Sequence, residues 1–127
     1  MISPETYIIL WSIPMLGYTI MMFLTPGKIV TDNFNYDPDS MTKFWIRGAS
    51  PAWFMVLITM NFLVEPDVGV KIGTLMSLIM GILFPYNAKF GYFTGGSLPR
   101  KYPMHYFPEI LMPTLLILGI LTWTNMQ

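Results

Sequence analysis

The chain has 127 residues, 54% of them hydrophobic, 16% aromatic and only 11% charged, against about 25% charged in ordinary soluble domains. Seven Lys plus Arg balance seven Asp plus Glu, which excludes a basic nucleic-acid binder and an acidic disordered tail. Cysteine is absent, so disulfide scaffolds, thiolate metal sites, iron–sulfur clusters and cysteine nucleophiles are excluded too.

The positions of the charges define the elements. The first charge-free stretch, 22 residues between Glu5 and Lys28, predicts a transmembrane helix near 6–24. At 1.5 Å per residue, stretches of this kind reach roughly 25–33 Å, the hydrocarbon thickness of a bilayer. This stretch lacks a basic leader and a small-x-small cleavage site, so it is expected to be a retained span rather than a signal peptide. Pro14 removes the hydrogen bond to the Leu10 carbonyl and predicts a kink. The following connection carries Asp32, Asn33, Asn35, Asp37 and Asp39. A calcium loop would need a turn glycine where Pro38 stands and a closing acid where Phe44 stands, so turn and cap chemistry is the expectation.

The second span is expected near 43–64, where 17 residues between Arg47 and Glu65 are uncharged. Lys43, Trp45 and Arg47 suit the membrane interface at its start. Pro51 is placed in an early turn, and Asn61 is the most polar side chain well inside the stretch. The third span, near 68–86, covers the 17 uncharged residues between Lys71 and Lys89 and ends at Pro85. Gly69, Gly73, Ser77 and Gly81 recur every four residues along it. Such a stripe of small side chains lets another helix approach closely. An internal neighbour is the favoured occupant, with a partner subunit, a lipid or a flat pigment as the sharper alternative. Met76, Met80 and Phe84 form the bulkier stripe beside it.

The connection at 87–107 opens on Asn87 and is dense in aromatics, among them Phe90, Tyr92, Phe93, Tyr102, Tyr106 and Phe107. It is expected to lie in the headgroup layer or to dock a partner subunit. The fourth span is expected near 108–125, since the last 18 residues are uncharged. His105, the only histidine, stands one helical turn before Glu109. Two ligands do not complete a metal site, and no nucleophile–base triad can be assembled. His105, Asn87 and Asn61 remain as candidate contacts for a cofactor such as chlorophyll or carotenoid, or for a lipid.

Each span is introduced by a proline and an acid: Pro4-Glu5, Pro38-Asp39, Pro66-Asp67 and Pro108-Glu109. Proline suits the first helical turn, and a carboxylate there faces the unpaired amides and the positive end of the helix dipole. Ser3 and Ser40 are candidate N-caps. Lys28, Lys43, Arg47, Lys89, Arg100 and Lys101 fall in or beside the connections 1–2 and 3–4, against Lys71 alone on the terminus side. The positive-inside rule then puts both termini on the lumenal or outer side.

The layout, with Thr25-Pro26-Gly27 closing the first span, Arg47-Gly48-Ala49 opening the second and a tight turn at 65–69, resembles the DoxX-like small four-helix membrane proteins. That resemblance implies a self-contained redox-linked enzyme or a carrier of a lipid or other small molecule, and it assigns no residue a role. The residues themselves point to an all-α integral membrane four-helix bundle occupying the whole chain as one domain. The function expected of it is that of a non-catalytic accessory subunit of a photosynthetic or respiratory complex. A thylakoid supercomplex is preferred over a mitochondrial inner membrane or a bacterial plasma membrane. Its partners would be other membrane subunits, lipids and pigments.

Overall fold

The computed structural model describes residues 1–126, and these are all-helical, with no strand among them. Helix α1 spans Pro4–Leu24. Ser3 caps it, its Oγ accepting from the Thr6 amide at 3.1 Å, and Glu5 lies in the first turn. A short helix, α2, follows at Pro26–Asn33 inside the predicted 1–2 connection. Eight residues are too few to show a helical period in the sequence; the segment folds by burying Pro26, Val30 and Asn33 against its neighbours.

Helix α3 runs Ser40–Ile58 and continues through a π-helical turn, Thr59–Leu63. Its N-cap is Asp39 rather than the expected Ser40: the Asp39 carboxylate accepts from both the amide and the hydroxyl of Thr42, each at 2.8 Å. These bonds hold the Asp39 carboxyl below the usual carboxylate range. Helix α4 spans Pro66–Phe90 and includes a π-helical turn at Ile82–Tyr86. It runs one turn beyond the predicted end, past Pro85, because the π turn carries the chain around the missing proline amide. Helix α5 spans Tyr106–Asn125.

Helices α1, α4 and α5, of 21, 25 and 20 residues, are long and apolar enough to cross a membrane. Helix α3 with its π turn is as long, but Lys43, Arg47, Ser50, Pro51 and Asn61 dilute its apolar character. Helix α4 is central, packing most extensively on α5 and also on α1, while α1 packs on α3. The core is a column of Tyr7, Ile8, Trp11 and Met15 from α1, closed by Leu57, Met60, Val70, Met112 and Leu115. Large apolar residues also point outward, such as Ile9, Ile13, Phe62, Ile79 and Ile117. That is the distribution expected of helices solvated by hydrocarbon.

Two of the intrahelical prolines, Pro51 and Pro113, are compensated. Pro51 lies in the interior of α3, not in an early turn, so it strips the Arg47 carbonyl of its usual helical partner. The fully buried Ser50 hydroxyl donates to that carbonyl at 2.7 Å. Pro113 does the same to the Glu109 carbonyl, and the Tyr86 hydroxyl donates to it at 2.8 Å from α4. A buried backbone group left without a partner costs about 1–3 kcal/mol, so these substitute bonds offset what each proline removes.

At one end of the bundle the α2–α3 and α4–α5 connections are tied together. Phe34 and Arg100 form an antiparallel bridge, flanked by Asn35 N–H to the Pro99 carbonyl at 2.6 Å and Lys101 N–H to the Asn33 carbonyl at 2.8 Å. The Arg100 guanidinium reaches the Lys89 carbonyl at 2.7 Å. Gly91, at φ 68°, turns the chain at the end of α4, where any side chain would run into the backbone of Gly96.

Candidate functional site

A half-open cavity of about 470 Å³ lies among the helices, within the roughly 300–1,000 Å³ usual for small-molecule sites. Met15, Thr19 and Met22 of α1 form one wall, and Met76, Met80 and Phe84 of α4 the opposite one. Val30 of α2, Phe34, Trp53 of α3 and Met112 of α5 complete it. Five of its sixteen lining residues are methionine, a flexible and polarisable side chain suited to irregular apolar contact. Its one aliphatic hydroxyl, that of Thr19, is spent on the Met15 carbonyl at 2.7 Å.

His105 sits just behind this wall. Its ring is fully buried, 5.2 Å from Phe34 and 6.0 Å from Phe84 between ring centres, and both of those residues line the cavity. Tyr102 stacks edge-on at 5.8 Å. The Glu109 carboxylate lies 3.8 Å from His105 Nε2 and accepts from the Tyr102 hydroxyl at 2.6 Å. That bond to a carboxylate raises the Tyr102 pKa. Neither nitrogen of His105 has a hydrogen-bond partner among the described residues. Burial pushes the imidazole pKa down, and the Pro85 carbonyl and the Glu109 charge oppose this without prevailing. A neutral buried histidine binds fewer protons than the same group in the unfolded chain, so stability falls as pH drops below about 6.5. Melting of the detergent-solubilised protein should therefore decline from pH 7.5 to pH 5.5, and His105→Gln should flatten that decline. An equally steep profile in the variant would show that another group titrates.

The other sequence-based candidates make their hydrogen bonds elsewhere. Asn61 lies at the opposite end of the bundle, donating to the Ser12 hydroxyl at 2.9 Å and to the Leu57 carbonyl at 2.8 Å. It ties α3 to α1. Asn87 is buried, and its Oδ1 accepts from the Phe93 amide at 2.8 Å, folding the loop back on α4. The small-residue stripe is used inside the molecule. A methyl group at Gly69 would sit 2.7 Å from Ile8 Cδ1, at Gly73 2.9 Å from Tyr7 Cε1, and at Gly81 3.4 Å from Met112 Cβ. Ser77 accepts from Trp11 Nε1 at 3.0 Å and donates to the Gly73 carbonyl at 2.8 Å.

Sequence reading missed the tightest approach, at Gly119 of α5. A side chain there would collide with Thr74 Oγ1 and lie 2.7 Å from the Tyr7 hydroxyl. A lone glycine in the middle of an apolar run was the available signal. No group of three metal-ligating side chains occurs among the described residues.

No family model, curated protein or solved structure matches the chain.

Proposed function

We propose that the chain is an integral membrane four-helix bundle, α1, α3, α4 and α5, serving as a non-catalytic accessory subunit of a larger bioenergetic complex. The observation that carries this reading is the outer surface. Large apolar side chains cover the perimeter, and the end of α4 with the loop after it adds the exposed Phe90, Tyr92 and Phe93. Exposed aromatics in a glycine-containing loop suit an interface with lipid headgroups or another subunit. The polar groups that could do chemistry are largely consumed in holding helices and loops together. A photosynthetic complex of the thylakoid is the preferred setting, since flat pigments and lipids suit such a surface. Both termini would lie on the lumenal side, and the tied connections, with six of the seven basic residues in them, in α2 or near the adjoining ends of α3 and α4, on the other.

Gentle solubilisation followed by a native gel tests the reading. The chain should comigrate with a pigmented or respiratory supercomplex. Migration as a lone homo-oligomer would overturn it. Protease accessibility of tagged termini tests the orientation separately, and tags reached only from the basic-loop side would reverse it.

A further inference from the structure

The geometry points to a binding site for one extended hydrocarbon chain in the interhelical cavity, independent of whether the protein works within a complex. The cavity has about 470 Å³ and is open on one side. Buried water needs two to four polar partners, and this lining has almost none to give. The Thr19 hydroxyl is already committed to its own helix. The lining is instead dominated by thioethers and ring faces, among them Met76, Met80, Met112, Phe34, Phe84 and Trp53. Unbranched, rotatable methionines conform to a flexible chain, and aromatic faces pack against methylene or methyl groups. The Tyr18 hydroxyl and the Trp53 N–H are the other side-chain polar groups of the lining, too few for a flat cofactor carrying several hydrogen-bonding groups.

His105 is sealed from this space, fully buried behind Phe34 and Phe84, so it does not serve as a polar anchor. The occupant is therefore held chiefly by its chain. Two membrane sources supply such a chain: the acyl tail of a glycerolipid and the isoprenoid tail of a quinone or carotenoid-type molecule.

Native mass spectrometry of the intact chain tests the site. The protein is exchanged into detergent and offered palmitoyl-oleoyl phosphatidylcholine in one arm and geranylgeraniol in the other. One molecule should bind per chain in at least one arm, and the arm that binds identifies the source. Met80→Trp fills the cavity and should lower retention at least tenfold. Ile13→Trp adds the same bulk on the outer perimeter and should leave retention unchanged. Should Met80→Trp fail to fold, Met22→Phe provides the same narrowing from α1. Independently, dibromostearoyl phosphatidylcholine should quench a component of tryptophan emission that disappears in Trp53→Phe. Absence of binding in both arms, or equal retention by a folded cavity-filling variant and by Ile13→Trp, would overturn the inference.

Discussion

Gly119→Leu is expected to prevent stable folding of the bundle. Helices α4 and α5 share the most extensive packing in the molecule, and Gly119 is where they come closest. Its missing side chain leaves room for Thr74 and for the Tyr7 hydroxyl, which donates to the Leu115 carbonyl at 3.2 Å. Three helices therefore meet at one point. Inserting extra carbon into a packed core costs about 1–3 kcal/mol, and more where backbone must retreat. Gly119→Ala gains up to about 1 kcal/mol of helix propensity, which offsets part of that cost. Gly119→Leu gains nearly as much propensity, but its far larger side chain must push α5 away from both neighbours. Against a total stability of about 5–15 kcal/mol this is a large fraction. Thermal melting in detergent reads the effect, with alanine intermediate and leucine lowest. A leucine variant that melts like the wild type would refute the close approach.

Trp11→Ala should be the most damaging truncation in α1. Trp11 is fully buried, and its indole N–H bonds to Ser77 on α4. Truncating a buried tryptophan costs about 3–5 kcal/mol in soluble cores. Between membrane helices the apolar driving force is weaker, so the loss is mainly of dispersion contacts and falls toward the lower end. The hydrogen bond is a minor part, since interhelical side-chain bonds in membranes average about 0.6 kcal/mol. Trp11→Phe and Ser77→Ala should therefore both be mild, and the double variant should cost little more than either alone. Denaturation of the solubilised protein separates these cases. A phenylalanine variant as unstable as the alanine one would assign the stability to the hydrogen bond instead.

The helices were legible because the charges mark their ends. Each of the charge-free stretches after Glu5, Arg47, Lys71 and Glu109 holds most of one long helix. What escaped sequence reading depends on contacts between distant segments. Helix α2 is too short to show a period, and it is held by neighbours from α1 and α3. The bridge between Phe34 and Arg100 joins two loops that share no pattern. The cavity draws on all five helices, and no single stretch of chain announces it. Asn61, Asn87 and His105 stood out because polar residues are scarce in such a sequence. Asn61 and Asn87 are spent on local hydrogen bonds, and His105 is closed off by aromatic rings.

The compensated prolines carry a consequence for how this sequence can change over time. Ser50 and Pro51 form one heritable unit, and Tyr86 and Pro113 another, because each hydroxyl serves the carbonyl its proline vacates. Losing the hydroxyl alone strands a carbonyl. Losing the proline first restores an ordinary helical bond and frees the hydroxyl to drift. The two steps are thus epistatic, with a permitted order, and the pairs should covary across descendants of this chain. Tyr86 and Pro113 would do so although 26 positions separate them in sequence.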